Sequence, residues 1–146
     1  MGALLIGIGA LVWSIVTVTP FLTAMKERGE IQDRVFMPFE ELRADFLHNG
    51  FGVFILEFHD HSLLSDDNVE RLLLLNDMPP KYELTVMLET QNITDESIET
   101  LGKLKSVDSL FVDKSGMTDE GVARLKLLLP ANTVAHYTWE KDRGEQ

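Results

Sequence analysis

Two stretches decide how this chain is read: Ile93-Thr94-Asp95-Glu96-Ser97-Ile98-Glu99-Thr100-Leu101 and Met117-Thr118-Asp119-Glu120-Gly121-Val122-Ala123-Arg124-Leu125. The second repeats the first 24 residues on, and the same step carries Leu104 to Leu128, Leu110 to Val134 and Val112 to His136. A looser copy starts at Leu64-Ser65-Asp66-Asp67-Asn68-Val69-Glu70-Arg71-Leu72, 29 residues before the middle one, with the additional residues near Met78-Pro79-Pro80. In each copy a Ser or Thr precedes an Asp and then an apolar-periodic run. The hydroxyl or carboxylate suits a helix N-cap, and early acids favour the positive helix end.

The periodicity assigns the faces. Ile98, Leu101 and Leu104 share one helical stripe, as do Val122, Leu125 and Leu128. Each run is followed by a strand-like segment: Leu84 to Thr90, Ser109 to Lys114, and Thr133 to Thr138. Repetition of strand, turn and helix predicts parallel strands on one side and helices on the other. A single unit of this kind cannot bury its apolar face alone, so stacking has to supply the core. The inward strand residues are then Leu56, Phe58, Val86, Leu88, Leu110, Val112 and Val134.

The units resemble the leucine-rich repeats of planctomycete-type bacterial proteins. Val107, Leu110, Val112, Met117, Thr118, Asp119, Gly121, Val122 and Leu125 stand in that pattern's slots, and Leu125-Lys126-Leu127-Leu128-Leu129-Pro130 is similar to its closing element. Ser97 stands where the pattern prefers Gly, and Ser115 where it prefers Thr. The resemblance covers Leu64 to about His136 and implies a short α/β leucine-rich-repeat solenoid that binds other proteins. It brings no catalytic motif.

Upstream, Met37-Pro38-Phe39-Glu40-Glu41-Leu42-Arg43-Ala44-Asp45-Phe46-Leu47 reads as a capping helix, with Phe39, Leu42 and Phe46 on one face, Pro38 at its start and Asn49-Gly50 as its stop. Phe51 to Phe58 alternates as a strand. Before these, Ala3 to Met25 carries no charged side chain and is long enough to cross a bilayer. The absence of a basic leader and the length of the run favour an anchor over a cleaved signal peptide. Lys26, Arg28 and Arg34 after it place the remainder in the cytoplasm by the positive-inside rule. The expected organisation is an anchor at 1–25, a linker at 26–36, a capping helix and strand at 37–63, repeat units at 64–138 and a charged tail at 139–146.

The 146 residues carry a net charge of −11, which argues against nucleic acid and an anionic lipid surface as ligands because both need a basic patch. There is no Cys, hence no disulfide, thiol nucleophile or thiolate metal site. No phosphate loop, catalytic triad or H-E-x-x-H motif is present. Side chains alternating with the inward set form two outward rows: Glu57, Met87, Phe111 and Ala135, then His59, Glu89, Asp113 and Tyr137. Met87 and Phe111 side by side suggest either a contact patch or packing against another element such as the charged tail Trp139-Glu140-Lys141. The residues assigned to binding are Met87, Phe111, Glu57, His59, Glu89 and Asp113. The expected function is a membrane-anchored interaction scaffold without catalysis, metal or cofactor, whose partner is another membrane-associated protein. Two alternatives stand beside it. One is a structural subunit of a larger membrane complex, and the other a small metal-dependent enzyme using His59, Glu89 and Asp113.

Overall fold

The computed structural model describes residues 19, 21–49, 52–112, 114–130 and, for the backbone alone, 134–136. The chain divides into two units, Met1–Arg34 and Val35–Gln146. In the first, residues 21–31 form helix α1, steadied by a Thr23 hydroxyl donating to the Thr19 carbonyl at 2.9 Å and by an exposed Lys26–Glu30 pair at 3.7 Å. It passes into a π-helical turn at Gln32–Phe36, so part of the expected linker is helical. Most of the expected membrane anchor, residues 1–18 and 20, lies outside the described residues. Among those described, no helix is long and apolar enough to cross a membrane. The single-pass membrane assignment, and the sidedness built on it, is corrected accordingly.

The second unit is built on a five-stranded sheet in sequential order: β1 (Asp45–His48), β2 (Val53–Phe58), β3 (Glu83–Leu88), β4 (Ser109–Phe111) and β5 (Val134–His136). β2 to β5 run parallel, but β1 is antiparallel to β2. The sheet is therefore mixed, and the unit is a small α/β domain, not the all-parallel solenoid expected from the repeats. The crossovers also differ from one another. The first is a 3-10 helix at Val69–Asp77, the second a 3-10 turn at Asp95–Ser97 leading into the single-turn helix α2 (Ile98–Leu101), and only the third is a regular helix, α3 (Asp119–Leu128).

β1 occupies part of the segment expected to be a capping helix. A 3-10 helix at Met37–Leu42 buries Phe39 and Leu42, and then the chain reverses at Arg43, whose φ of 57° ends it. The apolar spacing that mimics one helical face is thus shared between a short helix and a strand. Phe46 lies in β1, stacked on Phe36 with ring centroids 4.2 Å apart. The Asn49 side-chain oxygen accepts the Val53 N–H at 3.2 Å, closing a β1–β2 hairpin where a helix stop was expected. His48 accordingly ends a strand, not a helix.

Burial follows the alternation of the strands. Leu56, Phe58, Val86, Leu88, Leu110 and Val112 are all fully buried, as expected. Val69, Leu72 and Leu75, Ile98, Leu101 and Leu104, and Val122 and Leu125 on the crossovers are buried as well. Leu128 departs from expectation: α3 ends there, its side chain is exposed, and Leu129 is buried instead.

Neighbouring crossovers are tied by carboxylates. Asp66 accepts the Thr94 N–H at 3.0 Å and the Thr94 hydroxyl at 2.7 Å, and it also takes the Ser97 hydroxyl. Asp95 repeats the contact with the Thr118 N–H at 2.9 Å and hydroxyl at 2.6 Å, while Thr118 caps α3 by accepting the Gly121 N–H at 3.0 Å. The difference between Ser97 and Gly121 has a physical basis here. A Cβ at Gly121 would collide with the Asp95 carboxylate, which sits over the first turn of α3. Gly121→Ala is expected to lower the unfolding free energy by about 1–3 kcal/mol. In a double-mutant cycle read by denaturant unfolding, Gly121→Ala should cost little once Asp95→Ala has removed the carboxylate it would strike. Strict additivity would show that the collision is not the cause.

Candidate functional site

β2 carries its side chains alternately to the buried and the outer face, and the register of its neighbours builds continuous outer rows. Asp45 on β1 stands opposite Glu57, Glu57 opposite Met87, and Met87 opposite Phe111. The expected row of Glu57, Met87 and Phe111 is therefore assembled, but its fourth member shifts: Phe111 pairs with His136, not Ala135. A second row runs Leu47, Ile55, Thr85 and Ser109. Leu47 is 53% exposed, and Ile55, Met87, Thr85 and Phe111 are half-buried. Adjacent strands lie about 4.8 Å apart, so these side chains form one strip crossing the sheet.

At one end of the strip, immediately after β2, stands His59. Its Nδ1 lies 3.1 Å from a Glu89 carboxylate oxygen. Its Nε2 lies 3.4 Å from Glu57 and 3.6 Å from Asp45. Lys114 approaches the same Glu89 oxygen at 3.6 Å, and the His61 ring stacks at 5.8 Å from that of His59. His59 and Glu89 thus meet as expected, whereas Asp113 and Tyr137 lie outside the described residues. The imidazole joins carboxylates from three successive chain segments, so it acts first as a polar clasp across β1, β2 and β3. Among the described residues no group of three or more His, Asp or Glu side chains could hold a metal ion. His48 lies away from this corner, near the Phe46 and Phe54 rings.

Strand alternation already puts Ile55 on this face, but the sequence pattern places Asp45 and Leu47 in a helix, so neither is expected here. The available signal was Asn49-Gly50, a dipeptide typical of tight hairpins between two apolar segments.

The electrostatics of the face are one-sided. β1, β2, β3 and β4 contain no Lys or Arg, yet bear Asp45, Glu57 and Glu83, with Glu89 directly after β3. Lys114 reaches the Glu89 end of the face, while Arg124 and Lys126 lie on α3 and Lys103 and Lys105 after α2. No protein family, curated protein or solved structure matches the chain.

Proposed function

We propose that the chain is a non-catalytic protein-interaction module that receives a partner on the outer face of its sheet. The observation that carries this reading is the pair of in-register rows, Asp45-Glu57-Met87-Phe111 and Leu47-Ile55-Thr85-Ser109. They set apolar side chains side by side on rigid strands and rim them with carboxylates. Apolar groups presented together on one face gain more from a partner than the same groups scattered over a surface. A sheet also holds them in fixed positions, so little ordering cost attends binding.

The test is site-specific photocrosslinking in the cell of origin. A photoreactive residue at Thr85, in the middle of the strip, is expected to yield a discrete protein adduct. One at Lys126 on α3 should not yield that adduct. Met87→Asp should abolish the Thr85 adduct while leaving the far-ultraviolet circular dichroism unchanged. Identical adducts from both positions, or a Thr85 adduct indifferent to Met87→Asp, would sink the reading.

A further inference from the structure

We infer that the partner engages this face through a segment in which apolar side chains alternate with arginine or lysine. The inference rests on the interaction reading above and adds the chemistry of the occupant. Leu47, Ile55, Met87 and Phe111 in the strip supply apolar contact, which selects poorly among partners. Its surroundings supply the selection. The described strands β1 to β4 present acids without a single Lys or Arg among them. Around His59, carboxylates of Asp45, Glu57 and Glu89 converge, with Lys114 the cation that approaches Glu89.

Two of those carboxylates are not ordinary surface acids. The Glu57 and Glu89 side chains are only 20% and 21% exposed, against 58% for Asp45. An incoming cation therefore meets them with part of their water already removed, where Coulomb attraction is less screened than at an open surface. Glu57 is also the direct cross-strand neighbour of Met87. A side chain that lays its methylenes along Met87 reaches Glu57 with its charged end, which suits arginine best because its planar fork matches a carboxylate. The same charge pattern disfavours a second copy of this chain, since each copy has a net charge of −11 and would set its acids against the other's.

The experiment is selection of a random peptide display library on the immobilised full-length chain, followed by titration of the enriched synthetic peptides. Enriched sequences should combine apolar residues with Arg or Lys and should bind more weakly as salt is raised. Glu57→Gln and Glu89→Gln should each weaken binding about fivefold, the size of a partly shielded ion pair. Glu99→Gln, which removes the exposed partner of Arg124 on the helical side, should change nothing measurable. Enrichment of neutral or acidic peptides that are lost on Met87→Asp but unaffected by Glu57→Gln would overturn the charge inference and leave the interaction reading standing. Peptides indifferent to Met87→Asp would overturn both. A chain that enriches no peptide and sediments as a dimer crosslinked through Thr85 would make the occupant a second copy and overturn the inference.

Discussion

Replacing Phe58 by alanine is expected to lower the unfolding free energy by about 3–5 kcal/mol, whereas Met87→Ala, one strand across on the opposite face, should cost less than about 1.5 kcal/mol. Phe58 is fully buried. Its ring meets Phe39 edge-on, with centroids 6.0 Å apart, and its backbone partner in the sheet is Leu88, also fully buried. Truncation removes the transfer energy of an aromatic ring and leaves a cavity between the 3-10 helix at Met37–Leu42 and the sheet. The surrounding strands are tied by backbone hydrogen bonds and cannot collapse into it. Phe58→Leu keeps most of the volume and should cost no more than about 1.5 kcal/mol. Met87 is half-buried on the outer face, where alanine opens no enclosed void. Urea denaturation followed by circular dichroism measures all three. Comparable losses for Phe58→Ala and Met87→Ala would mean that the two faces of the sheet are equally packed, and the outer strip would then be core. Phe58 also bears on the site, because its carbonyl accepts the Glu89 N–H at 2.7 Å, immediately beside His59. Loosening it should blur the His59–Glu89 contact before the strip itself is disturbed.

The division between the faces of the sheet was readable in the sequence because it depends only on strand alternation. Leu56, Phe58, Val86, Leu88, Leu110 and Val112 point inward whatever the connections do, and Glu57, Met87 and Phe111 follow on the other side. The architecture was less legible because the repeat describes units, not their ends. At the amino-terminal end Phe39, Leu42 and Phe46 fit a helical stripe, and nothing in their spacing reveals the reversal at Arg43. The antiparallel strand that results makes the sheet mixed and brings Asp45 to His59, a juxtaposition that requires 45 and 59 to be seen as hairpin neighbours. The row positions past Phe111 failed for a related reason. The repeat step predicts Ala135 there, but the ladder between β4 and β5 is set one residue further on, at His136. Regular α-helix was expected in each crossover, yet only α3 is one of ordinary length. Thr118 caps it through the Gly121 N–H, while Asn68 at the start of Val69–Asp77 makes no such bond to its helix.

Asp66→Ala is expected to lower the unfolding free energy by about 2–4 kcal/mol, because one carboxylate serves three donors on the next crossover. Those donors are the Thr94 N–H, the Thr94 hydroxyl and the Ser97 hydroxyl, and Ser97 is itself fully buried. Alanine leaves them facing no acceptor, and the loss exceeds the worth of the bonds where the donor stays buried, as the Ser97 hydroxyl does. Asp66→Asn should cost less than Asp66→Ala, since its amide oxygen can keep the Thr94 N–H and the Ser97 hydroxyl and only the Thr94 hydroxyl loses its acceptor. Asp67→Ala, exposed at the next position, should stay within about 0.5 kcal/mol of the parent. Acid gives an independent reading. Burial alone would raise the Asp66 carboxyl, but the bonds from Ser97 and Thr94 outweigh it and hold the group below its ordinary value of 3.8. A carboxyl depressed in the folded state binds its proton more readily when unfolded. Its contribution to stability is therefore complete above 3.8 and disappears as pH falls through the lower folded value. The gap in unfolding free energy between the parent and Asp66→Ala should accordingly hold constant from neutral pH down to about 5 and narrow only below the ordinary carboxyl range. A gap that closes already between pH 7 and 5 would assign the stabilisation to other groups. Because the Asp66 contact restrains the Thr90–Thr94 turn, which follows Glu89 directly, the same variant should also weaken crosslinking from Thr85 without touching the strip.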